Sequence, residues 1–213
     1  MIYLKKKEWY TQPLALNEAR GFVEQYHYGR GGSTFKVACH GLYYAGDPFT
    51  LHGIAWWLPA ALGAAKQAAG VNHRSVLSLS RFCLRPDRPE NAGSFLISKS
   101  VKMLENRYTT LLTYADTALN HNGGLYRAAN WSYYGLTNKQ PYWENKDGVM
   151  VSRKQGPVTY TKTQMLEAGH TFKGMFEKHK FLYQKSAADL LINPVGQQAE
   201  LAFTEQGKII LQQ

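Results

Sequence analysis

Residues 79–135 read LSRFCLRPDRPENAGSFLISKSVKMLENRYTTLLTYADTALNHNGGLYRAANWSYYG, and this stretch decides the fold. A strand-like run is followed by a polar turn, and a helix opens near Asn91. A second apolar run, Thr110–Tyr114, ends at Asp116, and a glycine pair then starts a short helical segment. This repeated order of strand, loop and helix is typical of an α/β sheet whose ligands bind beyond the strand ends. We therefore expect the functional residues at those ends.

Apolar spacing and turn residues predict further elements on both sides of this stretch. Before it we predict a helix from Asn17 to about Tyr26 and then a Gly-rich turn, His27–Gly32. We next predict the paired strands Phe35–Tyr44 and Leu51–Leu58, joined by the turn Gly46-Asp47-Pro48. Residues 60–72 are predicted to be a short helix or a mobile flap. The segment after the glycine pair is predicted to be helical through Tyr126, Asn130 and Trp131. Beyond it we predict closing strands at Tyr142–Trp143 and Val149–Val151, and helices at Thr161–Leu166 and Ala187–Ile192.

The composition is that of a globular protein, with 213 residues, 44% hydrophobic and 19% charged. It predicts one domain over residues 1–213, with a basic C-terminal extension at about 160–213. The apolar run Ile54–Ala69 is too short and too interrupted to span a bilayer. The N-terminus lacks the apolar stretch of a secretory signal, and the two cysteines are expected to be buried thiols. We therefore expect a cytoplasmic protein with no membrane partner.

The chain carries a net charge of +10, and 13% of its residues are aromatic. Strong positive charge favours a polyanion partner such as double-stranded DNA, and aromatic rings can stack on bases. Many small basic proteins nevertheless bind nothing in particular. The basic segment Lys173–Lys185 has two interpretations, a solvated surface element with one apolar face or a direct DNA contact.

Two positions in the deciding stretch are candidates for holding an anion. Arg81 lies inside an apolar strand, where an unpaired guanidinium is costly, so it needs an anion or a structural partner such as Asp116 or Asp87. Residues 91–94 open a helix whose first backbone N–H groups favour a phosphate. Only Gly93 is present where a conventional acetyltransferase has a glycine-rich pyrophosphate loop, which argues against ordinary coenzyme A binding.

Asp116 and Tyr126 are the candidates for acid–base chemistry. Asp116 closes the run TTLLTYAD, so it is expected at the edge of the sheet, where a carboxylate can take a proton from an amine or bind a metal. Capping of the next segment is the alternative. Tyr126 can donate a proton or stack on a base, or can simply pack in the core.

Four motifs in order, SRFCL, NAGSFLISKS, YADT and LYRAANWxYxG, carry a resemblance over most of residues 20–145. They resemble the Mom family, the DNA-modification proteins of phage Mu and its relatives. The resemblance implies a divergent acetyltransferase-like (GNAT) fold, α/β with a mixed central sheet and flanking helices. It also implies conversion of adenine in DNA to N6-carbamoylmethyladenine, which protects phage DNA from restriction.

The resemblance also implies functional residues. It points to His27 and Tyr28, with Tyr43 or Tyr44, as facing one pocket, and to Arg81 at the acyl-CoA or active-site pocket. The implied catalytic residues are His27, Tyr28, Arg81, Asp116 and Tyr126. The implied cofactor-binding residues are Arg81, Asn91, Gly93, Ser94 and Ser98, although the serines could be ordinary polar helix residues.

The implied product makes two chemical demands. Adenine N6 is paired in the duplex, so the base must be flipped into an aromatic pocket. The candidate lining is Tyr28, Tyr43, Tyr44, Tyr126, Trp131 and Tyr133. Attack on an acetyl thioester would give an amide, whereas the product joins nitrogen to a methylene carbon. We therefore expect an unusual donor, acetyl-CoA or another small acyl or glycine-derived compound, or a metal.

The candidate metal is iron, held by His27, Tyr28 and Asp116. The alternative is that His27 acts as a general base without a metal. Two other functions stay open, an ordinary GNAT acetyltransferase acting on a small amine or a protein, and a non-catalytic DNA-binding module.

Overall fold

The computed structural model describes residues 3–155 and 158–190. The strands are β1 (Trp9–Pro13), β2 (Ala38–Tyr44), β3 (Asp47–Pro59), β4 (Val76–Leu84), β5 (Thr110–Asp116), β6 (Ser132–Leu136), β7 (Gln140–Glu144), β8 (Met150–Val151), β9 (Lys154–Gln155), β10 (Val158–Thr159), β11 (Thr171–Phe176) and β12 (Lys178–Gln184). The helices are α1 (Leu16–Tyr26), α2 (Leu62–Ala69), α3 (Ala92–Met103), α4 (Gly124–Ala128), α5 (Lys162–Glu167) and α6 (Ala187–Leu190).

Seven strands form the central sheet in the order β1-β2-β3-β4-β5-β12-β6. All neighbours are antiparallel except β4 and β5, which are connected by α3 and run parallel. The predicted strand–helix–strand unit and the predicted mixed α/β sheet with flanking helices are therefore confirmed. Strands β7, β8 and β11 form a separate small sheet, and β9 and β10 form a hairpin.

The parallel pair is short. Its register joins only Val76–Ser78 to Thr110–Leu112, although β4 continues to Leu84 and β5 to Asp116. Beyond Ser78 the two strands are no longer paired with each other, and each stays paired with the neighbour on its other side. Strand β4 stays paired with β3 as far as Leu84, and β5 stays paired with β12 as far as Asp116. The sheet therefore has a gap between the carboxyl ends of its two parallel strands.

Both faces of the sheet are covered by helices. Trp56 and Trp57 are neighbours on β3 and both are fully buried, yet they belong to different core clusters. Alternate residues of a strand point to opposite faces, so this pair requires packing on both sides. Helix α3 supplies most of the packing around Trp57, and α1 supplies that around Trp56. The gap thus lies in a sheet whose central strand β3 is packed on both faces.

Several predicted elements are displaced in the structure. Strand β3 begins at Asp47, so the hairpin turn is Ala45-Gly46 and not Gly46-Asp47-Pro48. Helix α4 ends at Ala128, because Asn130 adopts a left-handed φ of 64°, and Trp131 leads into β6. Residues 60–72 contain the helix α2, as one of the two predictions had it. No helix among residues 3–155 and 158–190 is long and apolar enough to cross a bilayer.

The basic segment 173–185 does not lie on the surface as a whole. Its second half is β12, which is inserted between β5 and β6, with Phe181 fully buried. The interpretation as a solvated element is wrong for this half, because the alternating apolar residues belong to the sheet's core. Helix α6 covers Ala187–Leu190 of the predicted last helix, whose final residues and the tail to 213 lie outside the described residues.

Candidate functional site

A cavity of about 520 Å³ opens where β4 and β5 separate. We call it the strand cavity. It is lined by Tyr26–Tyr28, Leu79, Ser80, Phe82–Leu84, Arg88, Tyr114, Ala115 and residues 120–126. Across the gap, the Thr113 hydroxyl donates to the Leu79 carbonyl at 3.4 Å. The predicted location of the site, at the carboxyl ends of the strands, coincides with this cavity.

Asp116 lies at the end of β5 and is only 2% exposed. Its Oδ1 accepts a hydrogen bond from the Ala118 backbone N–H at 3.1 Å, so the capping interpretation is confirmed for this oxygen. Its Oδ2 lies 2.9 Å from Lys178 Nζ, since the sheet register places Lys178 directly opposite. The ammonium forms an ion pair with this oxygen and not a directed hydrogen bond. A buried carboxylate with one adjacent cation therefore stands at the gap.

His27 follows the last residue of α1 and stacks on Tyr28, with 4.2 Å between ring centroids. Its Nδ1 accepts a hydrogen bond from the Gly29 backbone N–H at 3.0 Å. Burial, and then the positive charge of Arg81, lower its pKa to about 4. The ring is therefore neutral at pH 7, with its proton on Nε2, so it presents a hydrogen-bond donor and not a base.

Tyr28 stacks on His27, and the charge of Asp116 acts on its phenol. Burial raises the pKa of its phenol, and the charges of Lys178, Asp116 and Arg81 act on it in that order. Its ring also contacts His121 edge-on, with centroids 5.8 Å apart. The structure thus brings Tyr28, His27 and Asp116 together, although α1 and β5 are far apart in the chain.

Tyr126 lies on α4 and lines the strand cavity from its other side. Burial raises the pKa of its phenol, which is hydrogen-bonded to the Thr113 side chain. Its ring packs on Phe181 and Trp131 at centroid distances of 5.4 and 6.0 Å. Tyr126 therefore packs in the core, as one interpretation had it, and its phenol also lies at the cavity, where proton donation or base stacking stays a prediction.

Among the residues that the structure describes, Arg81 pairs with no carboxylate. Its Nε donates to the Gly31 carbonyl at 2.6 Å and its Nη1 donates to the Ser80 carbonyl at 2.9 Å. Asp87 pairs with Arg85 and Asp116 pairs with Lys178, so both predicted structural partners are wrong. Because β4 loses its parallel neighbour at Ser78, the side chain reaches its own strand's carbonyl and fixes the Gly-rich turn after α1.

Arg81 faces a second cavity, of about 610 Å³, between the central sheet and the small sheet. We call it the basic cavity. It is lined by His27–Gly29, Arg81, Gln140–Tyr142, Met150–Lys154, Thr159 and Lys178. His27 and Tyr28 line both this cavity and the strand cavity. These two side chains therefore stand where the two spaces adjoin.

The predicted cofactor residues fall into separate places. Asn91, Ser94 and Ser98 line a third cavity of about 450 Å³ beside three lysines, Lys6, Lys99 and Lys102. Arg81 is not among its lining residues, so the set does not form one site as predicted. A Cβ on Gly93 would meet the end of the Leu125 side chain at 2.6 Å, so this glycine lies at the close contact of α3 with α4.

The predicted aromatic lining is only partly correct, because Tyr28 and Tyr126 are its only members at the strand cavity. Tyr43 stacks on Tyr10 on the opposite face of the sheet, and Tyr44 contacts Trp9. Of the remaining two, Trp131 is in the core beside Trp57. Tyr133 lies on β6, and the Arg127 guanidinium lies over its ring. Alternation along β2 places Tyr43 and Tyr44, and Tyr133 is 46% exposed on β6. These positions depend on strand register, which the sequence does not fix.

The donor groups do not fit the predicted iron site. Binding iron through Nε2 of His27 would place a proton on Nδ1, against the Gly29 N–H that it now accepts. Asp116 already holds the Lys178 ammonium, and Arg81 adds a further positive charge nearby. Within residues 3–155 and 158–190, no group of three His, Cys, Asp or Glu side chains is placed to hold a metal. The prediction of iron at His27, Tyr28 and Asp116 is not supported.

Sequence reasoning missed Lys178 and His121. Lys178 appeared only as one charge in a basic segment, and its meaning comes from the β5–β12 register. His121 follows Asp116 by five residues in the loop at the cavity, and its position beside Tyr28 comes from the fold alone.

A sequence model described as the Mom protein family matches residues 8–187. None of the curated proteins compared with the chain matches it. Its sheet and helices are similar to those of several solved acetyltransferases. The ribosomal-protein-S18-alanine N-acetyltransferase from Escherichia coli is 12% identical with a TM-score of 0.48, over 84% of this chain and 94% of that one. The spermidine N-acetyltransferase from Vibrio cholerae, solved with CoA and spermine, is 6% identical with a TM-score of 0.49, over 87% of this chain and 99% of that one.

A third similar structure is an N-acetyltransferase from Staphylococcus aureus, 10% identical with a TM-score of 0.48, over 83% of this chain and 98% of that one. At such identities and scores, these similarities carry no information on substrate or donor.

Proposed function

The chain belongs to the Mom protein family, and on that basis we propose that it is a DNA-modifying enzyme that converts adenine to N6-carbamoylmethyladenine and protects phage DNA from restriction. The observation that supports a catalytic role is that His27 and Tyr28 line both cavities, while Asp116 follows Ala115 of the strand cavity and pairs with Lys178 of the basic cavity. A reaction between a DNA base and a small donor needs two spaces that share a wall. A protein that only binds DNA needs no second cavity.

These groups take different roles. Asp116, which lies next to Ala115 of the strand cavity and pairs with Lys178 of the basic cavity, is the candidate to accept the proton that N6 loses. The donor in this proposal carries a leaving group on its methylene carbon. As N6 bonds to that carbon, the bond from the carbon to the leaving group breaks and the leaving group departs with the electron pair, so no oxidant is needed. His27 at pH 7 and Tyr28 are neutral and can donate hydrogen bonds to an oxygen of the donor. Lys178 holds Asp116 in place through the ion pair. The proposed chemistry uses acid–base groups of the chain and requires no iron.

The test is mass spectrometry of nucleosides from the DNA of cells that express the protein. We expect a mass increase on deoxyadenosine equal to one carbamoylmethyl group. The matched control is Asp116→Asn, which keeps the side chain's shape and its contact with Ala118 but removes the charge.

The outcomes separate the three candidate functions. Unmodified DNA together with acetylation of a small amine or a protein would identify an ordinary acetyltransferase. DNA affinity that persists with unmodified nucleosides would identify a non-catalytic binding module. Either result contradicts the proposal. Feeding isotopically labelled acetate or glycine to the expressing cells would identify the source of the two added carbons.

A further inference from the structure

The two adjoining cavities differ in charge. Arg88 is the one lysine or arginine among the residues that line the strand cavity. The basic cavity is lined by four cationic side chains, Arg81, Arg153, Lys154 and Lys178, and by no Asp or Glu among its described lining residues. A nucleotide that leaves the duplex carries its two flanking phosphates with it, so it is expected to enter the more positive space.

The two outer cations of the basic cavity have no catalytic duty. Arg153 donates from Nε to the Tyr160 carbonyl at 2.7 Å, which fixes its stem and leaves the terminal guanidinium nitrogens for other partners. Lys154 follows it at the start of β9 and is exposed. Two adjacent cations at the mouth of a cavity suit backbone phosphates, which position a nucleic acid without reading its sequence.

The inner part of the cavity offers aromatic surface. Tyr142 on β7 is half-buried, and Phe176 holds its ring edge-on at a centroid distance of 5.5 Å. Lys178 Nζ lies 5.5 Å from the same ring. Tyr28 lines the cavity as well, and the charge of Asp116 acts on its phenol. A ring that its neighbours already orient is a suitable platform for stacking an extruded base.

We propose that the basic cavity receives the acceptor nucleotide of a DNA strand, with Arg153 and Lys154 on its phosphates and Tyr142 against its base. This assignment rests on the proposed function and names where its substrate binds. The small sheet and the β9–β10 hairpin are then the nucleic-acid-binding part of the chain. A base entering from this side reaches Tyr28 and His27 first, and therefore reaches the wall shared with the strand cavity.

The first test is photo-cross-linking with duplex DNA that carries 8-azidoadenine. The tryptic peptide of residues 140–146 contains Tyr142, whereas the peptide of residues 108–127 contains the strand-cavity loop. We expect cross-links in peptide 140–146. Cross-links in peptide 108–127 with none in 140–146 would overturn the assignment and place the base in the strand cavity.

The second test is equilibrium DNA binding as a function of salt. The double variant Arg153→Gln/Lys154→Gln should reduce the slope of log K against log salt by ~0.9 for each phosphate that the variant no longer neutralises. The matched control is Lys66→Gln/Arg74→Gln, which removes the same two charges from exposed positions on α2 and in the turn before β4, at the opposite end of the strands. Equal slopes for the two double variants would refute the assignment.

The third test concerns Tyr142. Tyr142→Ala should weaken binding by roughly tenfold or more, whereas Tyr142→Phe, which keeps the ring, should bind as the parent does. Thermal unfolding of each variant checks that the small sheet is intact. If the parent protein neither binds nor modifies DNA, the proposed function fails. If the parent does both and the basic-cavity variants behave as the controls, the proposed function stands and the assignment of the cavity fails.

Discussion

Replacing Lys178 by Met should destabilise the protein through Asp116. The substitution keeps the aliphatic stem but leaves a carboxylate that is 2% exposed without its cation. At 2.9 Å the attraction between the two charges is about 6 kcal/mol for an effective dielectric constant of ~20. The Lys178 side chain is 34% exposed, so water competes for the ammonium and the desolvation of the carboxylate offsets much of this attraction. We expect a net loss of ~2 kcal/mol, which lowers Tm by roughly 4–8 °C for a chain of this size.

The assay is thermal unfolding of a double-mutant cycle. Asp116→Asn leaves an ammonium that can turn towards water, so it should cost less than Lys178→Met. The double variant should be more stable than Lys178→Met alone, because no unpaired charge is then buried. Lys173→Met serves as the control, since its pair with Glu144 is 3.5 Å long and exposed and should change stability by less than ~1 kcal/mol. Additive single effects, to within ~0.5 kcal/mol, would mean that the ion pair does not exist in solution.

The remaining predictions concern activity, pH, metal and packing. Asp116→Asn should lower the rate of DNA modification, measured by nucleoside mass spectrometry, by ~10²–10⁴-fold. Its DNA affinity, measured by fluorescence anisotropy, should stay close to that of the parent. A normal rate of modification would contradict a chemical role for Asp116. The pKa values of His27 and His40 are both lowered to about 4. As pH falls from 6.5 to 4, only the unfolded chain therefore takes up these two protons, and the free energy of unfolding should fall over that window. Above pH 6.5 the free energy of unfolding should not depend on the titration of either group. His27→Gln should make the urea-derived decline shallower, and an unchanged decline would show that the His27 environment is wrong. Exhaustive chelation should leave activity intact, and metal analysis should find no iron that depends on His27. If activity is lost on chelation and restored by iron, the argument that His27, Tyr28 and Asp116 do not fit an iron site is wrong. Gly123→Ala should cost ~2–4 kcal/mol in unfolding free energy, since the residue has a φ of 74° and its Cβ would meet the Phe181 ring at 2.2 Å, whereas Gly63→Ala, with nothing within 4 Å, should be nearly neutral.

The sequence predicted the elements that have strong local signals. Strand β5 and the start of helix α3 were placed nearly to the residue, because an apolar run and a polar turn mark them. Asp116 was expected at a strand end and lies there. These are properties that a segment of ten residues carries by itself, and they suffice to locate the site.

What the sequence could not supply is pairing between distant segments. The β5–β12 register decides that Lys178 meets Asp116, and no local pattern specifies a register. Arg81 likewise donates hydrogen bonds to backbone carbonyls where β4 and β5 are no longer paired. The sequence does not show where this pairing ends. The wrong expectations for Tyr43, Tyr44, Trp131 and Tyr133 have the same origin, because the face on which a ring lies depends on its strand's partners.

The place of β12 in the sheet has a consequence for how the protein is made. Lys178 is synthesised 62 residues after Asp116, which takes about 3–12 s at ~5–20 residues per second. Until then β5 has an open edge, and β6 lacks its partner in the central sheet. A ribosome that stops before residue 178 therefore releases a chain whose Asp116 has no counter-charge and whose basic cavity lacks Lys178. Such an incomplete product carries the motifs of residues 79–135 without the strand that pairs with the edge of β5.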